Sequence, residues 1–152
     1  HHKVFTECFA RYLAQTENQH VEKYYEPMGG GMVFDVAGFI DLPGGQRNLT
    51  AIGEIITTVK PERVVKHYDD FAQYDGVTKH WVVKDIDVTH DFVRALHDAG
   101  RVETVPPKSL QNHTRIAETV FGEHGESQIH SGSDIVEAVR AFTAESEDGA
   151  ID

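Results

Sequence analysis

Residues 49–59 read LTAIGEIITTV, an apolar and largely β-branched run with one carboxylate, Glu54, near its middle. Such a composition is typical of a strand, and the turn-forming Pro43-Gly44-Gly45 precedes it while Pro61 follows it. A charged group in a buried strand is costly unless a partner compensates for its lost hydration. The stretch therefore predicts a strand from Leu49 to Val59 and a partner for Glu54.

The preceding segment supplies a candidate partner. Residues 32–40 predict a second strand, and the turn between the two strands predicts an antiparallel hairpin. Centring the turn on Gly44-Gly45 aligns Pro43 with Gln46 and carries Asp35 opposite Glu54, whereas a shift by one residue would put the two acids on opposite faces. Facing carboxylates need a shared proton, a basic neighbour or a divalent cation.

The remaining elements complete an α/β pattern. The periodicity predicts one domain over residues 3–143, with a mixed sheet of a β-meander plus parallel strands flanked by helices. Residues 144–152 are acidic and predict a disordered tail. The other predicted elements are a helix over 3–15, a strand over 21–26, a helix from Pro61, a strand over 80–84, a helix capped by Thr89 and ended by Gly100, a strand over 102–105, and two helices around Ile116 and after Ser133.

Composition restricts the partners. The net charge is −11, with 25 acidic against 14 basic residues, only seven of them lysines. This balance disfavours a nucleic-acid partner, but it resembles the acidic surfaces of proteins from salt-loving microbes, which are acidic whatever they bind. Four basic residues nevertheless cluster around the hairpin and the following helix, and they favour a local nucleic-acid contact: Arg47, Lys60, Arg63 and Lys66.

Cysteine content and hydropathy bear on the compartment. Cys8 is the single cysteine, which favours a reduced, cytoplasmic setting. No apolar run approaches the roughly 20 residues of a membrane span, so no membrane partner is expected. His1-His2 is typical of the end of a purification tag, and a missing upstream domain is one interpretation of it.

The order of elements, with an Asp on the second strand and a Glu on the third, resembles the restriction-endonuclease-like, or PD-(D/E)xK, nuclease superfamily. Phe34-Asp35-Val36 matches its Asp position and Ala51-Ile52-Gly53-Glu54 its Glu position, within a resemblance that covers about residues 3 to 105. The resemblance implies a restriction-endonuclease-like fold. It also implies that Asp35 and Glu54, with the carbonyl of Ile55, bind Mg²⁺ or Mn²⁺.

The sequence departs from this superfamily at Ile56, where the motif has a lysine that helps to position or activate the attacking water. An aliphatic side chain can neither hold water nor balance charge. The lysine has two candidate replacements, Lys60 after the strand and Lys66 on the next helix, and Lys66 and His67 are the best substitutes for the missing base. The alternative is a solvated helix face with salt bridges, since Arg63, Lys66, His67 and Asp70 recur at helical spacing.

Two functions follow from the resemblance. The first is a divalent-metal-dependent endonuclease or exonuclease, with Asp35, Glu54, Lys60 and Lys66 as catalytic residues. DNA would then contact five basic residues: Arg47, Lys60, Arg63, Lys66 and His67. The second is a catalytically impaired nuclease-like domain that serves a larger protein as a DNA-binding or dimerisation module, as a homodimer in the latter case.

Overall fold

A computed structural model of the protein describes residues 1–17, 19–123 and 125–151. Five strands form one sheet, with helices on both of its faces. In chain order the elements are α1 (His2–Thr16), β1 (His20–Tyr25), β2 (Phe34–Asp41), β3 (Arg47–Ile56), α2 (Pro61–Phe71), β4 (Thr78–Val83), α3 (Ile86–Asp98), α4 (His113–Phe121), β5 (Ser127–Ser131) and α5 (Gly132–Ile151).

The sheet is mixed, as the sequence predicts. Its strand order is β1-β2-β3-β4-β5. The pairs β1–β2 and β2–β3 are antiparallel, and the pairs β3–β4 and β4–β5 are parallel. A three-stranded meander therefore continues into parallel strands, which confirms the α/β class and the meander.

The predicted fifth strand over 102–105 is wrong. That segment is irregular between α3 and α4, and it contributes only the buried Val102 to the core before Pro106. The fifth strand is instead Ser127–Ser131, which has one strongly apolar residue, Ile129, and pairs in parallel with β4. A short polar strand of this kind owes its conformation to pairing with a neighbour rather than to its own composition.

Two helix boundaries also differ from the sequence prediction. Asp85, not Thr89, caps α3, since its side chain accepts a hydrogen bond from Val88 N–H at 2.9 Å, while Thr89 lies within the helix. Gly100 follows the end of α3 with a left-handed φ of 74°, as predicted. The sequence predicts a disordered tail over 144–152; in the structure α5 includes residues 144–151, and Asp152 lies outside the described residues.

The β2–β3 register places Asp35 opposite Glu54 as predicted, but it does so through a bulge that the sequence did not indicate. Near the turn Leu42 N–H bonds to the carbonyl of Gln46 at 2.7 Å, so the predicted alignment of Pro43 with Gln46 is wrong by one residue. A bulge between Gly38 and Phe39 then shifts the pairing. Beyond the bulge the pairs follow the predicted register, up to Val36 opposite Gly53.

Two hydrophobic layers sandwich the sheet. On one face, residues of α2, α3 and α4 pack with Ile52, Ile56 and Trp81 of the sheet. On the other face, α1 and α5 pack against Ala51 and Ile55. Consecutive residues of β3 thus alternate between the layers, and Glu54 shares the face of α2 with Ile52 and Ile56. No helix in the described part of the chain is long and apolar enough to cross a membrane.

Gly53 allows α1 to approach the sheet next to the acidic pair. A Cβ at this position would lie 2.7 Å from Cε2 of Phe9, a fully buried residue of α1. No real Cβ makes so close a contact, so a side chain here would displace the aromatic ring or the strand. The glycine before Glu54 therefore has a packing role on the face opposite the carboxylate.

We expect Gly53→Ala to lower the free energy of unfolding by about 1 to 3 kcal/mol through overpacking against Phe9. Chemical denaturation of the full chain measures this loss. In the double variant Gly53→Ala/Phe9→Leu the two losses should be less than additive, because the smaller side chain accommodates the methyl group. Gly30→Ala is the matched control, because its Cβ would come closest to the flexible end of Met32, at 3.2 Å, and would lie at ordinary contact distances from the backbone. Additive losses would contradict the explanation.

Candidate functional site

Asp35 and Glu54 meet where the β2–β3 ladder ends. Beyond the pair Val36–Gly53, the N–H of Asp35 donates to Oε1 of Glu54 at 3.3 Å, and the N–H of Ile55 donates to Oδ2 of Asp35 at 2.9 Å. Each carboxylate therefore accepts a backbone N–H from the neighbouring strand. This reciprocal arrangement is one structural reason for both acids, since it satisfies donors that the ladder no longer pairs.

A cleft of about 600 Å³ opens above the two acids. Asp35 and Glu54 lie on its wall together with Ile55 and Ile56 at the end of β3, and with the loop residues that follow. The opposite side is formed by one face of α2, from which the predicted set Arg63, Lys66, His67 and Asp70 lines the cleft. The helix keeps this face free because Val64 and Phe71 bury another face in the core.

His67 contacts the buried acid directly. Its Nε2 lies 2.9 Å from Oε2 of Glu54, whose side chain is only 6% exposed. Of the three compensations expected for facing carboxylates, the structure therefore provides a basic side chain. The sequence placed His67 on the correct helix face, but it could not place the ring on Glu54.

Burial dominates the ionisation of Glu54. Desolvation raises the pKa of its carboxyl to about 7 from an ordinary 4.5. The hydrogen bond from His67 works against this rise, while the negative charge of Asp35 adds to it. A carboxyl with this pKa releases its proton near neutrality, where a positive charge in the cleft would favour the ionised form.

The other carboxylate is also in contact with a histidine. Nε2 of His2, at the start of α1, lies 3.2 Å from Oδ2 of Asp35, whose side chain is 15% exposed. The origin of His1-His2 in a purification tag stays a prediction.

The candidate basic residues fall into two groups. Lys60, at the position before α2, and Arg63 both line the cleft. Lys66 lines it as well, but its ammonium lies 2.9 Å from Oδ2 of Asp70 in a salt bridge along the helix. Arg47 lies at the far end of β3, where its guanidinium pairs with Glu22 at 3.0 Å and does not border the cleft. The cleft thus brings together four of the five predicted basic residues.

Ile56 lies at the position where the resemblance predicts a lysine. It is 6% exposed and packs in the layer under α2, α3 and α4, although it also borders the cleft. Because its side chain is aliphatic, a positive charge near the two acids must come from outside this strand, from α2, from Lys60 before it or from His2 of α1.

The donor set fits a loosely held divalent cation rather than a closed protein cage. No group of three or more His, Cys, Asp or Glu side chains is arranged to hold a metal ion among the side chains described, in residues 1–17, 19–123 and 125–145. Two carboxylates and a carbonyl are nevertheless the oxygen ligands that Mg²⁺ prefers, and Mg²⁺ often takes only one or two carboxylates, with water and substrate phosphate completing its shell. Asp35, Glu54 and Ile55 are consistent with that mode.

A second cluster of titratable groups lies on the opposite face of the sheet, and the sequence did not indicate it. Nδ1 of His80 on β4 lies 2.9 Å from Nε2 of His130 on β5, beside Phe9. Burial lowers the pKa of His80 to about 3 and that of His130 to about 4. Sequence reasoning missed the pair because it placed the fifth strand elsewhere.

No protein-family model, curated protein or solved structure matches this chain. The contacts of the cleft therefore carry the functional argument.

We expect the free energy of unfolding to fall as the pH rises from about 4.5 to about 7, by up to about 3 kcal/mol attributable to Glu54. The folded protein holds the Glu54 proton more tightly than the unfolded chain does. The resulting stabilisation is fully present below the pKa of the unfolded chain and is lost as the pH rises through the pKa of the folded protein. Urea denaturation at pH values across this range checks it.

Glu54→Gln should remove this part of the pH dependence. Subtracting the unfolding free energy of the variant from that of the wild type at each pH cancels the contributions of other groups. His80 and His130 are such groups, and their lowered pKa values make the protein less stable as the pH falls. A constant difference between Glu54→Gln and the wild type over the whole range would contradict the assignment.

Proposed function

We propose that this protein binds DNA in the cleft beside α2 and hydrolyses phosphodiester bonds with a divalent cation held at Asp35 and Glu54. The observation that carries the proposal is the meeting of these two carboxylates in a cleft whose other side is basic. Paired acids beside cationic side chains suit a substrate that is itself an anion and that brings its own phosphate oxygens to the cation.

The residues of the chain would divide the work as follows. Asp35 and Glu54, with the carbonyl of Ile55, would hold Mg²⁺ or Mn²⁺. A cation of this kind supplies Lewis acidity and lowers the pKa of water at the site. Lys60 and Arg63 would bind the phosphate backbone, since both line the cleft.

A lysine would orient the attacking water. Lys60 and Lys66 both line the cleft, and Lys66 is held by Asp70 at 2.9 Å. That salt bridge directs the ammonium along the helix, so Lys66 would act either from this position or after exchanging Asp70 for a substrate phosphate. Lys60 lines the cleft from the position before the first turn of α2.

A second candidate function is a DNA-binding or dimerisation module that no longer cuts. Ile56 favours it, because this residue, two positions after Glu54 on the same strand face, contributes packing and no charge. The burial and reciprocal hydrogen bonds of the acids are compatible with this alternative too, since both stabilise the end of the β2–β3 ladder.

We expect the wild type to cleave plasmid or single-stranded DNA with Mg²⁺ or Mn²⁺, and Asp35→Asn and Glu54→Gln each to lower the rate by at least about 100-fold. These amides keep an oxygen that can accept the backbone N–H, so the fold should survive. The assays are run at both low and molar salt, because the acidic composition resembles that of proteins from salt-loving microbes. Asp98→Asn, an exposed change outside the cleft, is the matched control.

Three results separate the functions. Cleavage that persists in Glu54→Gln would identify a contaminating nuclease and reject the hydrolytic proposal. DNA binding without cleavage would favour the binding module. Ile56→Lys tests the alternative directly. If the wild type does not cleave DNA and this variant does, the missing positive charge at position 56 is the cause of the inactivity.

DNA affinity should depend on the basic residues of the cleft. We expect Lys60→Gln and Arg63→Gln each to weaken binding and to reduce the slope of log K against log salt by about 0.7 to 0.9, as the loss of one phosphate contact does. Fluorescence anisotropy over a salt series measures both. Arg47→Gln should leave the slope unchanged, because Arg47 pairs with Glu22 outside the cleft; an equal change in all three variants would mean that the contact surface lies elsewhere.

A further inference from the structure

We infer that His67 is a positioning residue that fixes the carboxylate of Glu54 for cation binding. The inference rests on the proposed function and deepens it, since it assigns to His67 a role in metal affinity rather than contact with DNA.

Glu54 has few partners to set its orientation. Oε1 accepts a hydrogen bond from the backbone N–H of Asp35 at 3.3 Å, and Oε2 lies 2.9 Å from Nε2 of His67 in an ion pair. The shorter contact is the one to His67, which is also the only basic side chain in contact with Glu54 within the described residues. Removing the imidazole would leave one longer hydrogen bond and a carboxylate that can rotate.

The backbone position of His67 is set by the helix. Val64 and Phe71, three residues before and four after it, are 3% and 1% exposed in the core, so the backbone of this turn of α2 has little freedom. The His67 side chain is 24% exposed and contacts the acid from the wall of the cleft. The packed helix thus places His67 beside Glu54, and the contact with the imidazole restrains the buried carboxylate.

This arrangement predicts a specific effect on metal binding. Side chains that hydrogen-bond to a metal-ligating carboxylate orient the ligand, and their loss costs roughly 10- to 100-fold in metal affinity. Gln can place an amide N–H near the position of the histidine Nε2, whereas Leu offers a similar volume without a donor. His67→Leu should therefore weaken Mn²⁺ binding at least about 10-fold, and His67→Gln should keep it within about 3-fold of the wild type.

The experiment titrates the full chain with Mn²⁺ and follows free Mn²⁺ by electron paramagnetic resonance, without DNA and without an activity readout. His97→Leu is the matched control, because His97 is a half-exposed histidine on α3 outside the cleft. Circular dichroism and thermal melts establish that each variant is folded.

The outcomes distinguish the inference from the proposed function. Wild-type binding with loss in His67→Leu and retention in His67→Gln supports the positioning role. Equal affinity in the wild type and His67→Leu overturns it while leaving the metal proposal standing. No Mn²⁺ binding by the wild type rejects the metal site, and the positioning role with it.

A fourth variant keeps the test decisive if His67→Leu does not fold. His67→Asn carries the same amide on a shorter side chain that does not reach Oε2 as the histidine Nε2 does. Weaker Mn²⁺ binding in His67→Asn than in His67→Gln supports the positioning role, and equal binding in the two overturns it.

Discussion

The cross-strand contact between Asp35 and Glu54 is the constraint on which this end of the molecule depends. β2 and β3 stop pairing through their backbones after Val36 and Gly53, and the acids then accept the backbone N–H groups of the opposite strand. The exchange keeps the strand ends together while both acids line the open cleft. It also leaves the carboxylate of Glu54 buried under α2. Because desolvation raises the pKa of this carboxyl, the charges of its neighbours determine how readily it ionises.

One set of contacts thus serves both stability and the proposed chemistry. His67 compensates Glu54 in the folded protein, and the same contact would orient Glu54 toward a cation. Ile56 divides the two functional interpretations, because a buried aliphatic side chain at this position improves packing and removes charge. A hydrolytic role then depends on cations supplied from α2 and its N-terminal side, and a binding role needs only their attraction for phosphate.

Three elements of the fold differ in how well the sequence predicts them. The meander was predictable because a hairpin joins strands that are close in sequence, and a turn rich in Gly and Pro marks where one strand ends and the next begins. The register at the acids agreed although the turn was misaligned, since a bulge at Gly38 and Phe39 restored the pairing. The fifth strand was missed because Ser127–Ser131 has only one strongly apolar residue and becomes a strand through parallel pairing with β4.

The sequence by itself determined the meander and the face of α2 that carries Arg63, Lys66 and His67, since periodicity and local pairing decide these features. The facing of Asp35 and Glu54 needed in addition the bulge between Gly38 and Phe39, which the sequence did not indicate. Only the tertiary structure decided that His67 reaches Glu54, that Lys66 is held by Asp70, that Arg47 is paired away from the cleft, and that His80 meets His130. The physical reason is that hydrogen bonding and desolvation depend on which distant elements pack together, and that information is not contained in the spacing of residues along one segment.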